Sequence, residues 1–466
     1  MNEAVDWPST LSINAYSGEL QRAAVGPVAD STRIWVLRKA PPEVPTPLKA
    51  PVPPNPADWR DSRVGWGLVM ADKPNLTDAE RSDGSDAPEP IQKLLKDRGN
   101  APVFRYRPGW QHRFSHLRNY AAKMDVSISR SPNGSVPGAL PRFLLIYGPP
   151  DEVPWELQYI LNARCCVGRL HLTGIALENY ITALLNDWEL STTQVNHSVV
   201  WAVDQGGGDI TKLMRDAIAA KVQERLAGDP QIGNRATFLD GAGHATATAL
   251  ASALESKRPG LIVTTSHGQT YPLDNLEILA TRLGLLVDQN FTSLQVSDLF
   301  SKWQPDGAIW YAHACCSVGS DSQTLFDGVV ELGSEVDRVL KGVAKLGAQV
   351  APLPTALLGA GRPLRAFVGH VEPTFDWTLR DPSTGQMLTA ALEKALYDGL
   401  YQPWPIGLAF RDAFSQLAGL YASYMSERRV FDGGGNTQGA MLKDLLAALD
   451  IQSMVLLGDP TATLPL

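Results

Sequence analysis

From about residue 119 onward the chain repeats one pattern. A short unbroken apolar run gives way to glycine, proline or small polar residues, and then to a longer stretch with apolar positions at helical spacing. The runs at 142–147, 199–203, 261–265, 308–312, 364–371 and 453–457 have the length of strands and no polar face, as expected of strands covered on both sides. Between them, 177–190, 210–226, 246–255, 326–345, 387–400 and 405–428 read as helices. In the first of these, Leu177, Ile181, Leu184, Leu185 and Trp188 recur at helical spacing. Strands alternating with helices predict an α/β fold, a mostly parallel six-stranded sheet with helices on both faces.

Residues 1–118 follow a different pattern. Pro41, Pro42, Pro45, Pro47, Pro51, Pro53, Pro54 and Pro56 form a polyproline-type stretch that cannot join a helix or a central strand. Strand candidates at 33–37 and 65–70 flank it, and the polar stretch 72–99 holds one short helix at 91–96. Trp59, Trp66, Phe104, Tyr106 and Trp110 need apolar surface to bury against. The segment 1–118 is therefore expected to be an irregular, proline-rich accessory region packed on a main domain at 119–466.

Composition narrows the class. At 466 residues the chain exceeds one ordinary core, and 44% apolar with 19% charged residues is a globular balance. A formal net charge of -8 argues against a nucleic-acid binder, which needs a basic surface. The acidic N-terminus lacks the basic and apolar regions of a signal peptide, and no apolar run approaches the ~18 residues of a membrane span. The four cysteines form two vicinal pairs, Cys165 with Cys166 and Cys315 with Cys316, which is neither a disulfide framework nor a C-x-x-C metal spacing. These features predict a soluble cytoplasmic protein with no membrane contact, no metal and no cofactor. The glycine runs at 206–208 and 433–435 lack a following Gly-Lys-Ser/Thr, which argues against a phosphate-binding loop and a nucleotide-binding protein.

The candidate chemistry follows from the sheet. In open parallel sheets functional residues gather just beyond the carboxyl ends of the strands. That expectation puts Asp151, Glu152, Asp204, His267, Gly268, residues 313–316 and residues 370–372 on one rim. One strand runs into Ser266-His267-Gly268 and another into His313-Ala314-Cys315-Cys316, with His267 48 residues before Cys315. A thiol attacks a carbonyl once a nearby base takes its proton, and neighbouring strands lie only ~5 Å apart. The amides of Gly268 and Cys315 offer the donors that a tetrahedral oxyanion needs. A lone Cys at a strand end is more often a buried thiol, but a His-Gly delivered by another strand shifts that balance. Successive strand residues point to opposite faces, so only one of Cys315 and Cys316 can face His267. His370 reads as structural, and Cys165 and Cys166 read as core thiols.

The segments 261–269 and 310–319 resemble those of clan CD cysteine peptidases, the caspase/gingipain fold, and above all its bacterial gingipain-like and CHAT branch. The segments 366–372, 456–461, 142–154 and the Trp66-Gly-Leu-Val stretch extend the likeness over roughly residues 60–466. The resemblance implies a caspase-like sheet, His267 as general base, and Cys315, which follows Ala314, as nucleophile, with Cys316 at a variable position. The sequence departs from the family pattern at Ser317, where many members have Gly. The implied activity is that of a cysteine endopeptidase acting on protein or peptide substrates. Activation by a partner protein or by processing, in a bacterial signalling or defence system, is implied with it. Peptidases of this fold read the residue before the scissile bond in a charged pocket at the strand ends. The candidates here are Asp151, Glu152, Glu372 and Asp376, with His313 as a wall, and carboxylates there favour Arg or Lys. The rival reading is a catalytically silent caspase-fold scaffold or sensor.

Overall fold

The computed structural model describes residues 10–16, 23–28, 52–241 and 243–466. The strand candidate at 33–37 and the prolines from Pro41 to Pro51 lie outside them. The chain divides into two compact units between Pro53 and Pro54. In the first, β1 (Thr10–Tyr16) pairs antiparallel with β2 (Ala23–Pro27).

The second unit is built on one sheet. Its early strands are β3 (Trp66–Ala71), β4 (Val103–Tyr106), β5 (His116–Asn119), β6 (Met124–Ser127), β7 (Phe143–Tyr147) and β8 (Cys166–Leu170). β9 (Gln194–Ala202), β10 (Ala236–Asp240) and β11 (Pro259–Thr265) follow. Two short ladders come next along the chain, each pairing antiparallel. They are β12 (His267–Gly268) with β13 (Leu286–Val287), and β15 (Gly319–Ser320) with β16 (Gln349–Val350). The remaining sheet strands are β14 (Ile309–His313), β17 (Ala366–His370) and β18 (Met454–Leu457). The order across the sheet is β10-β9-β11-β14-β17-β18-β8-β7-β3-β4-β5-β6.

The fold class is α/β with a mostly parallel sheet, and all six predicted strands are present. Among the described residues the sheet has twelve strands where six were expected. The accessory boundary expected at residue 118 runs through this sheet, because β3, β4 and β5 are strands of it. The pattern at 65–70 was a core strand, and Trp66, Phe104 and Tyr106 bury against the sheet's own neighbours.

Alternation in the central strands explains why the sheet is covered on both sides. Ile262, Trp310, Ala312, Phe367, Val455 and Leu457 enter one core, and their neighbours Leu261, Val263, Ile309, Tyr311, Val368 and Leu456 enter the other. α1 (Glu89–Asp97), α2 (Gly174–Leu185) and α5 (Ala247–Lys257) pack on the first core. α3 (Ile210–Met214), a π-helical turn at Arg215–Ala219 and α4 (Ala220–Gly228) pack on the second. The later helices are α6 (Glu335–Ala344), α7 (Asp376–Leu379), α8 (Arg411–Asp432) and α9 (Gln438–Ser453). The helix predicted at 326–345 begins late because Gly328 and Gly333 adopt positive φ and Ser334 caps the first turn. Among the described residues no helix is long and apolar enough to cross a membrane.

One pairing decides where the rims lie. β10, β9, β11, β14 and β17 run parallel, and so do β18, β8, β7, β3 and β4, but β17 and β18 meet antiparallel. The carboxyl ends of β7 and β8 therefore lie on the opposite edge from those of β11 and β14. The single rim expected from sequence is two rims.

Candidate active site

β11 and β14 are direct neighbours, with Thr265 opposite His313. Beyond Thr265 the chain turns at Ser266, whose amide donates to the His313 carbonyl at 3.3 Å. His267 and Gly268 then pair with Val287 and Leu286, which fixes the backbone that carries the imidazole. Gly268 lies flat against the Cys315 backbone, and a Cβ there would collide with the Cys315 carbonyl oxygen. Gly284 is held in the same way against the Cys316 carbonyl. Two glycines thus clamp the cysteine pair, and side chains at either would push the His and Cys segments apart.

β14 ends at His313, so both cysteines lie in the turn that follows it. Cys316 adopts φ 55°, a left-handed conformation that costs a non-glycine residue on the order of 1 kcal/mol. This turn separates the two side chains. Cys316 is buried with Leu279, Leu283 and Val343, while Cys315 is partly exposed on the floor of a cleft that His267 also lines. Strand alternation, the argument available from sequence, does not apply here. Ser317 is fully buried, and its hydroxyl donates to the Ala312 carbonyl and accepts from the His370 amide, which ties β14 to β17 away from the cleft.

The cleft encloses about 740 Å³. Ile210, Val336, Val339 and Phe375 give it apolar walls, and Asp216, Glu335, Asp376, Lys212 and Arg380 give it a charged rim. Lys212 is engaged by Asp204 and Asp216, each at 3.7 Å.

Asp209, which sequence reasoning missed, completes the arrangement. Its Oδ2 accepts from His267 Nε2 at 3.0 Å, and its Oδ1 accepts from the Thr211 amide at 2.8 Å and the Thr211 hydroxyl at 2.6 Å. Burial works to raise its pKa, but the bonds from Thr211 and His267 outweigh it and hold the carboxyl below its ordinary range. With Nε2–H committed to Asp209, the Nδ1 lone pair of His267 is left to act as a base. The signal was present in the chain. Gly206, Gly207 and Gly208 all adopt positive φ and turn the backbone back after β9, and Asp209 then caps α3. A capping Asp at the end of the strand beside β11 is placed to meet a residue delivered by β11.

The Cys315 thiol is pushed up by burial, and the backbone amides of Thr374, Cys315 and Gly268 beside it work in the opposite direction. The group is a thiol at neutral pH and has to lose its proton during any attack.

Of the predicted pocket residues, Asp151, Glu152, Glu372 and His313 do not gather here. Asp376 lines the cleft. Asp151 and Glu152 lie on the opposite rim, lining a separate cleft with Lys73, and Lys73 bonds Glu152 at 3.1 Å. Their displacement follows from the antiparallel seam between β17 and β18. Glu372 is buried and accepts from the Thr324 hydroxyl and the Leu325 amide, and burial raises its pKa to about 7. His313 is buried behind the rim, bonded to the Tyr311 hydroxyl at 2.8 Å, and lines a different cavity. Cys165 and Cys166 are buried, with pKa values pushed up to about 12 by burial. Among the described residues no group of three or more His, Cys, Asp or Glu is placed to hold a metal ion.

No family model and no curated protein matches the chain. One solved structure, described as "Structure of Protease", aligns with 85% of this chain and 78% of its own length at 12% identity and a TM-score of 0.44. A likeness that slight carries no argument about activity, which rests on the site itself.

Proposed function

We propose that the protein is a cysteine endopeptidase in which Cys315 is the nucleophile and His267 the base. The supporting observation is the shared cleft, where Cys315 and a His267 held by Asp209 open to the same space. As the thiol attacks the scissile carbonyl, its proton passes to His267, and Asp209 steadies the imidazolium that forms. The carbonyl oxygen becomes an oxyanion beside the Gly268 and Cys315 amides, both of which act to favour negative charge at the sulfur. His267 then returns the proton to the leaving amine, and water hydrolyses the thioester. Asp376, Glu335 and Asp216 on the rim favour a basic side chain before the scissile bond.

The raised thiol favours an enzyme that works only after a rearrangement that relieves the burial of the Cys315 sulfur. A protein partner or processing would supply that change, in keeping with a role in a bacterial signalling or defence system. The test is cleavage of a fluorogenic peptide library with each residue in turn before the scissile bond. The expected result is turnover of Arg and Lys members, lost by at least ~10³-fold in Cys315→Ala and in His267→Ala. Full activity in either variant would sink the assignment. No cleavage of any member, with no labelling of Cys315 by a peptidyl chloromethyl ketone, would favour a silent scaffold.

A further inference from the structure

A second cavity lies behind the rim, on the far side of α7 from the Cys315 cleft, and its floor has chemistry that the proposed peptidase does not use. It encloses about 470 Å³, within the range of small-molecule sites. Leu379, Leu388, Leu392, Ala447 and Ile451 wall it, and Gln416 and Gly419, both exposed on α8, stand at its mouth. At the floor are Tyr311, His313, His370 and Asp450. The two imidazoles and the carboxyl are 2%, 2% and 6% exposed, yet among the described residues His313 Nε2, His370 Nε2 and Asp450 Oδ1 have no hydrogen-bond partner, Asp450 Oδ1 lying 3.9 Å from His370 Nδ1. Buried polar atoms without partners cost on the order of 1–3 kcal/mol each, and here three line one apolar cavity.

Their hydrogen-bonding senses can be read from their neighbours. The buried Tyr311 hydroxyl has no other acceptor among the described residues, so it donates to His313 Nδ1 2.8 Å away, and His313 Nε2 then carries the proton and is a donor. The Ser453 hydroxyl donates to the Asp450 carbonyl at 2.9 Å, which leaves its lone pair facing His370 Nδ1 at 3.5 Å. His370 therefore holds its proton on Nδ1, and its Nε2 is an acceptor. The two rings stand edge to face with centroids 4.8 Å apart. Burial pushes the His313 pKa down to about 4 and that of His370 well down, so both imidazoles are neutral at pH 7, while Asp450, raised to about 7, is about half ionised there and disfavours an anionic ligand.

We propose that this cavity binds an uncharged small molecule with an apolar body and one hydroxyl group. The hydroxyl donates to His370 Nε2 and accepts from His313 Nε2–H, and the body fills the apolar walls. The inference stands on its own and does not require Cys315 to be a nucleophile.

Displacement of Nile red fluorescence from the full chain tests it, with 4-propylphenol, propylbenzene and 4-propylbenzoate as competitors. The expected result is displacement by 4-propylphenol at least ~10-fold tighter than by either of the others, the discrimination of about one paired hydroxyl. His370→Leu should reduce that preference to within ~2-fold. Gly419→Phe should abolish displacement of Nile red by all three. An added Cβ at Gly419 meets nothing within 4 Å, so this variant keeps the helix intact even if His370→Leu fails to fold. Equal affinity for the phenol and the hydrocarbon, tighter binding of the carboxylate, or unchanged binding in Gly419→Phe would each overturn the proposal.

Discussion

At the scale of the residue, the candidate site depends on how each side chain is oriented by a neighbour that performs no chemistry. His267 is oriented by Asp209, and Asp209 by the first turn of α3. Asp209→Asn removes the carboxylate with little change in shape. If His267 is the base, kcat should fall by ~10–100-fold while KM stays within about twofold, because the loss falls on the proton transfer and leaves substrate binding intact. Steady-state kinetics on a cleaved library member measure the split, and a rise in KM at constant kcat would assign Asp209 to substrate binding. The sequence made Cys315 and His267 visible because each follows an apolar run. Asp209 was not visible, since an Asp after three glycines reads as a turn until the neighbouring strand is known.

At the scale of the element, the short ladder of β12 and β13 matters more than its length suggests. It carries His267 and presses Gly268 against the backbone of the Cys315 turn. Gly268→Ala has nowhere to put its methyl group, so the two segments have to separate. Mass-spectrometric measurement of iodoacetamide labelling is expected to show a changed Cys315 labelling rate, and peptide cleavage should drop by at least ~10²-fold, with a lower Tm. Unchanged cleavage would mean that the clamp does not set the site geometry.

The strands that the pattern revealed were those with unbroken apolar runs. β8 escaped because Arg169 interrupts it. That guanidinium is fully buried, bonded to Gln158 Oε1 and to the carbonyls of Gly148 and Val153, with its pKa pushed down to about 9 by burial. β10 escaped because it lies at the sheet edge and is only half buried. The direction of β18 relative to β17 is a matter of pairing, which no local window contains, and so Asp151 and Glu152 were assigned to the wrong rim.

At the scale of the whole molecule, buried titratable groups link the region behind the rim to stability. Asp450 has its folded pKa raised from an ordinary 3.8 to about 7 by burial. The folded state then binds the proton more tightly than the unfolded one, so the contribution is fully present below pH ~4 and is lost as pH rises to about 7. Asp450→Asn keeps the shape and removes the titration. Its Tm relative to the natural protein should therefore increase by ~3 °C or more between pH 5 and pH 8, read by differential scanning calorimetry. A difference independent of pH would show that Asp450 does not titrate in this range. His313, with its pKa lowered to about 4, works in the opposite sense as pH falls from about 6.5.

The antiparallel seam has a consequence for biosynthesis. β18 is the last of the sheet's strands to leave the ribosome, and it lies in the middle, between β17 and β8. Until residues 454–457 emerge, the two halves of the sheet end in β17 and β8, five-residue strands whose facing amides and carbonyls have no partner strand. Such edges recruit strands from other molecules. The final strand acts as a keystone. Before it is inserted the two halves have no strand joining them, and the rim that carries His267 and Cys315 lacks the support of β18 against β17.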